Sequence, residues 1–199
     1  MASRIARTLP LTAFVLHSYD WSESSLILDL FTREQGRIAV AAKGAKRPFS
    51  QLRSVLLPFQ RLHVSLGRDA AGDESREVHT LRAADWAGGH AMLTGPALFS
   101  GFYVNELLMK LLARHDPHPK LFDVYGETVA ALGIADDAAT QAALRAFEIV
   151  LLREIERQGS LTAAARGMGI TQSALSHAVR KLEQQLGTRL WEREGRGLR

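Results

Sequence analysis

An α+β fold, with strands first and helices after, is what this sequence predicts. Three features carry the prediction: apolar residues alternate with polar ones through the first 85 positions, the period shifts to 3.6 near Gly88, and the apolar content is high enough for a core. The chain has 199 residues, 46% hydrophobic and 23% charged, which suits one or two globular domains and excludes a disordered or fibrous chain.

"TAFVLHSYD" (Thr12 to Asp20) alternates, and "SLILDLFT" (Ser25 to Thr32) follows with β-branched and aromatic residues. "EQG" then turns the chain into "RIAVAAKG". A fourth apolar segment, "SVLLPFQRLHVSLG", contains Pro58 and is expected to be a strand broken or bulged there, because proline cannot donate to a ladder. "REVHTLRAA" supplies a fifth after the polar loop "RDAAGDES". Five short strands predict a small barrel; a five-stranded oligonucleotide-binding (OB-like) barrel fits, and an SH3-like barrel fits nearly as well.

Beyond Gly88 the pattern is helical. Leu98, Phe102, Leu107, Leu108, Leu111 and Leu112 recur at helical spacing until "DPHP" (Asp116 to Pro119) stops the helix. A second helix runs through "LFDVYGETVAAL" to Gly133. A third, "DDAATQAALRAFEIVLLREIERQ", opens on acidic residues, favourable at a helix N-terminus, and carries Leu144, Phe147, Leu151 and Ile155 on one face.

Composition narrows the function. Cysteine is absent, so disulfides, a thiolate nucleophile and cysteine-based zinc sites are excluded. Apolar runs such as "FEIVLL" fall short of the roughly 20 residues that span a bilayer, and "MASRIARTLP" lacks a signal-peptide core, so a cytoplasmic protein is expected, with no membrane partner. Charge is distributed unevenly. Residues 1–68 hold 10 Lys+Arg against 4 Asp+Glu, residues 69–158 hold 8 against 14, and residues 159–199 hold 7 against 3. Two basic ends around an acidic middle suggest two surfaces for a polyanion, since Lys and Arg gain affinity by releasing counterions from phosphates; ordinary solvated faces are the alternative.

"KGAKR" places Lys43, Lys46 and Arg47 in a glycine-containing turn after a strand, where cations can track a nucleic-acid backbone without reading bases. Arg33, Arg37 and Arg53 extend that surface. A solvated loop protecting a strand edge is the bland reading of the same cluster. The Gly-x-x-x-x-Gly-Lys spacing of a phosphate-binding loop is missing. Phe31, Phe49 and Phe59 are expected in the core rather than on a base-stacking surface. His115 and His118 in "RHDPHPK" have no obvious third ligand, so no metal is expected. No nucleophile motif, glycine-rich nucleotide fingerprint or paired-carboxylate arrangement is present, and the expectation is a chain that is not an enzyme, takes no cofactor and binds no small-molecule substrate.

Residues 12–68 resemble the N-terminal domain of the RecO recombination mediators, chiefly through "TREQGRI", "AKGAKRP" and "LPF" at Leu57 to Phe59. Residues 99–132 resemble the same family through "YVNELLMKLL" and "DPHPKLFD". The resemblance implies an OB-like barrel followed by a helical domain, no catalysis, and a role in loading recombinase onto single-stranded DNA and annealing strands. The partners it implies are single-stranded DNA, the acidic tail of the single-strand-binding protein and RecR. Leu107, Lys110, Leu111 and Arg114 are the candidates for the tail-docking surface.

From Gly159, "GSLTAAARGMGITQSALSHAVRKLEQQLGTRLWEREGRGLR" resembles the winged helix-turn-helix of LysR-type regulators, with Trp191 where phenylalanine is commoner. Ser160 or Thr162 suits one N-cap and Thr171 the next, with Leu175, Val179, Leu182 and Leu186 facing inward. Gln172, Ser173, Ser176, His177 and Arg180 then point outward at the start of the second helix, the part that enters a major groove. "REGRGLR" is the expected wing, with Arg193, Arg196 and Arg199 suited to phosphates. Duplex DNA is the partner this half implies.

The expected organisation is therefore an OB-like barrel at 1–85, a helical domain at 86–155 and a winged helix-turn-helix at 156–199, with helix 140–158 shared by the last two. A fragment of a transcription regulator is the alternative function. The join inside one helix, with each family cut short at the other, fits a natural fusion, a frameshifted gene or an artificial chimera.

Overall fold

The computed structural model describes residues 9–67, 77–89, 92–134 and 136–157, together with the residue pairs 193–194 and 197–198. Its first half is a closed barrel of strands β1 (Leu11–Asp20), β2 (Leu26–Thr32), β3 (Gly36–Ala42), β4 (Arg61–Leu66) and β5 (Val78–Trp86), in the order β1-β2-β3-β5-β4. Antiparallel ladders join β1 to β2, β2 to β3, β1 to β4 and β4 to β5, and a parallel ladder of β3 with β5 closes the ring. Closure removes the unpaired edges that an open sheet would expose.

Alternation sets two cores. Ala13, Val15, Leu28, Leu30, Ile38, Val40, Leu62 and Val64 fill the barrel, all with essentially no exposure. Their neighbours Phe14, Leu16 and Phe31 point outward, yet they are equally buried, because three helices cover that face. These are α2 (Gly95–Leu111), α3 (Pro119–Ile134) and α4 (Asp137–Arg157), preceded in the chain by the short α1 (Gln51–Val55). Phe14 and Phe31 pack tilted against Phe122 of α3 with ring centroids 5.1 and 5.4 Å apart, and Tyr125 closes edge-on over Phe14 at 4.9 Å. Barrel and helices thus share one apolar cluster, and each fully buried aromatic contributes on the order of 2–3 kcal/mol.

The face of α4 is the one expected: Leu144, Phe147, Leu151 and Ile155 all enter that cluster. The fourth strand is shorter than expected. Ser54 and Val55 lie in α1 rather than in a strand, and β4 begins only at Arg61, after Pro58 has made an isolated bridge to Val15 and Phe59 has turned with φ of +68°. Leu56, with Leu52 and Val55 behind it, packs on the barrel core, so the start of the apolar run that reads as a strand ends a short helix and the rest is an irregular link to β4.

A bulge shapes the seam between the two halves. The β1–β2 register slips between Val15 and His17, which takes Leu16 out of the ladder. Its carbonyl accepts a hydrogen bond from Asn105 Nδ2 of α2 at 2.9 Å, and Asn105 Oδ1 in turn accepts from the Tyr125 hydroxyl at 2.7 Å. The Tyr103 hydroxyl donates to Glu148 of α4 at 2.9 Å; burial and that carboxylate raise its pKa to about 12.

Candidate nucleic-acid interface

One end of the barrel is built by the β1–β2 turn and the segment from Lys43 to Ser50. The segment is pinned at several points. Gly44 takes φ of +74°, which glycine adopts without a Cβ clash, and this turns Ala45 into the barrel core at 1% exposure. The Lys46 amide donates to the Ser24 carbonyl at 3.0 Å, and Gly44 N donates to Ser25 Oγ at 3.3 Å. The Lys46 ammonium reaches the Ser22 carbonyl and the Asp20 carboxylate, both at 3.1 Å. Ser50 N donates to Arg47 O at 3.0 Å, and α1 follows.

On this fixed loop Lys43 and Arg47 are exposed, and so is Arg53 on α1. None of the three has an ion-pair partner among the described residues. Such cations keep their full charge available to a polyanion, whereas a paired cation must first give up its partner.

The other three candidates of the barrel surface do different work. Lys46 is the tether just described. Arg33 makes a bidentate pair with Asp123 of α3, Nε to Oδ1 at 3.0 Å and NH2 to Oδ2 at 2.9 Å. The hydrogen bonds from Arg33 hold the Asp123 carboxyl below the usual carboxylate range. Arg37 is half-buried in the same seam, where NH1 bonds the carbonyls of Leu108 and Met109 and burial lowers its pKa. Arg33 and Arg37 therefore fasten the barrel to the helices. Their partners lie 71 to 90 residues away in sequence, which is why the pattern around them did not reveal the role.

Phe31 and Phe59 are buried as expected, but Phe49 is not: its side chain is 99% exposed between Pro48 and Ser50. It lies in the loop, outside any alternation, so no period turns it inward. Trp21 is 58% exposed on the β1–β2 turn that Lys46 holds against the same segment. The core position expected for Phe49 is therefore corrected, Trp21 was not singled out by the sequence, and the signal that points to Phe49 is its place in a proline-containing basic turn.

On the helical side, Leu107 and Leu111 are only partly buried against the shared core, and Lys110 is exposed and paired with Glu106 one turn back at 2.5 Å. Arg114 departs from the expected docking surface. Its NH2 lies 3.3 Å from the buried Asp29 of β2 and its NH1 reaches the Glu77 carbonyl, so it neutralises a carboxylate that could not stay buried alone. His118 is buried, with Nδ1 3.0 Å from Glu154 and Nε2 3.5 Å from Asp116. The two carboxylates meet opposite nitrogens of one ring and do not converge on a common point. His115 stands edge-on to His79 at 5.5 Å.

The residues expected to read a duplex, Gln172, Ser173, Ser176, His177, Arg180 and Arg196, lie outside the described residues. Where the wing is expected, Arg193–Glu194 pairs antiparallel with Gly197–Leu198.

Comparison with known proteins follows the same division. Residues 8–88 match the family model "Recombination protein O N terminal" and residues 92–155 match "Recombination protein O C terminal". A DNA repair protein RecO of Delftia acidovorans is 47% identical over 190 residues, covering 90% of this chain and 73% of that protein. This chain belongs to the RecO family. A family member from Polaromonas sp. is 58% identical over 143 residues, 72% of this chain and 55% of its own length, and one from Variovorax paradoxus is 59% identical over 147 residues. The chain thus spans just over half the length of several curated relatives it matches. Residues 144–199 match a third model, "Bacterial regulatory helix-turn-helix protein, lysR family", which overlaps the second family match within α4.

Proposed function

We propose that this chain is a non-catalytic single-stranded-DNA-binding protein of recombinational repair, acting in recombinase loading or strand annealing in the cytoplasm. The observation that carries the reading is the pinned barrel-end loop, which holds Lys43 and Arg47 exposed and without ion-pair partners among the described residues, with Arg53 on the helix that follows. A closed five-stranded barrel with a basic loop at one end suits sequence-tolerant backbone tracking, and the similarity to proteins named for DNA repair over most of the chain favours DNA as the nucleic acid. Leu107 and Leu111, flanked by Lys110, offer a surface for the acidic, apolar-ended tail of the single-strand-binding protein, and RecR is the further partner.

Replacing Lys43, Arg47 and Arg53 together by Ala tests the reading. Single-strand affinity should fall, and the slope of log K against log salt should flatten by roughly 2, at about 0.7 per phosphate contact. Unchanged affinity and slope would remove the barrel end from the interface.

The match of residues 144–199 to the LysR-type model favours a second activity, duplex binding through Gln172, Ser173, Ser176, His177, Arg180, Arg193 and Arg196. Single copies of such a motif bind weakly, because affinity normally comes from two half-sites read together.

A further inference from the structure

We infer that Phe49 is a base-stacking platform that gives the barrel end its preference for single strands over duplex; this rests on the single-strand reading above. The ring is 99% exposed although the loop carrying it is fixed on both sides. Ala45, four residues earlier, is buried in the barrel, and Leu52, three residues later, packs against the same core. The chain between them is held by the Lys46, Arg47 and Ser50 hydrogen bonds, and a loop so anchored presents the ring outward instead of folding it under. Exposing a whole phenyl ring forgoes the stabilisation of burying it, and nothing in the described fold uses the ring.

The surroundings decide what the ring meets. Arg47 lies two residues before it, Lys43 stands at the start of the loop and Arg53 on the helix after it, all exposed. A ligand that satisfies these groups brings phosphates and flat apolar surfaces together on one flexible strand. Single-stranded nucleic acid does so, whereas the bases of a duplex are already stacked on each other and paired. Trp21 offers a second exposed aromatic surface on the turn that Lys46 ties to this loop. The cations therefore supply charge-dependent affinity for any strand, and Phe49 supplies a salt-independent increment that only an unstacked base can accept.

The test uses the full chain and three labelled probes of about 15 nucleotides: oligothymidylate, an abasic strand of the same length and a duplex. Phe49→Ala should weaken oligothymidylate binding roughly 5- to 100-fold, the range expected for one lost stack, and leave its salt slope unchanged. Abasic-strand and duplex affinities should not move, and Phe49→Trp should restore the wild-type value. Equal loss on the abasic strand, no loss on oligothymidylate, or a flattened salt slope would overturn the inference. The triple Lys43/Arg47/Arg53 variant separates the two levels. If it binds oligothymidylate as wild type does, the single-strand reading itself fails; if it is weakened while Phe49→Ala is not, stacking alone is refuted.

Discussion

Asn105 is a polar side chain at 2% exposure in the middle of an apolar helix, and its place there follows from a defect in a strand. The bulge in β1 frees the Leu16 carbonyl, and Asn105 satisfies it while accepting the Tyr125 hydroxyl. Asn105→Ala orphans two buried groups at once. The expected cost is about 3 kcal/mol, with each unsatisfied group worth roughly 1–3, read from urea unfolding. A cost under about 1 kcal/mol would mean that the network does not hold the seam. Asp123 makes a pH-dependent contribution. Its folded-state pKa is depressed by Arg33, so the native state binds fewer protons than the unfolded chain, and the pair stabilises the fold above the ordinary Asp range near 4. That stability is lost as pH falls through the depressed pKa. Both partners are nearly half exposed, so the gap between wild type and Asp123→Asn should be small, about 0.5 kcal/mol at pH 7. It should close in thermal melts taken at progressively lower pH, and a gap that widens on acidification would contradict the assignment.

Among elements, the β2–β3 turn and the link between α2 and α3 are fitted to one another. Gly36 has φ of +69°, and a Cβ built there would lie 1.9 Å from the Asp116 carbonyl oxygen. The neighbouring Arg37 carbonyl accepts the His115 amide at 3.0 Å, which stitches the turn to the link. Gly36→Ala must therefore strain the backbone and push the link away, at a cost of about 3 kcal/mol or more, visible as a lowered Tm and weaker hydrogen-exchange protection of the His115 amide. Wild-type stability would show that the approach is not tight. Much of this level was legible in advance. Period 2 located the strands, period 3.6 the helices, and the face of α4 was read residue by residue. What escaped was non-local. The apolar run at 54–58 reads as a strand because composition does not say that it ends a short helix at Val55 and then links irregularly to β4. Arg33, Arg37 and Arg114 read as free cations because Asp123, the Met109 carbonyl and Asp29 lie far along the chain. Phe49 reads as core because aromatic residues usually are, and only the path of the loop reveals it as exposed.

At the scale of the molecule, the shared cluster makes barrel and helices one packing unit. None of the three exposed cations takes part in the Arg33–Asp123 and Arg114–Asp29 pairs of the seam between barrel and helices. Substitutions at the seam should therefore change stability before binding, and substitutions at the barrel end should change binding with little effect on stability. Lys43, Arg47 and Arg53 changed together to Ala should leave Tm within about 2 °C of wild type, since exposed charges, here with no ion-pair partner among the described residues, contribute little to folding. Single-strand binding at the barrel end is tested most directly by a competition titration of the full chain with a labelled single strand and a random duplex of equal length, at two salt concentrations. Tighter binding to the single strand, weakening steeply as salt rises, is the predicted result. Equal or tighter binding to the duplex would contradict the account and move the active surface to the helix-turn-helix segment.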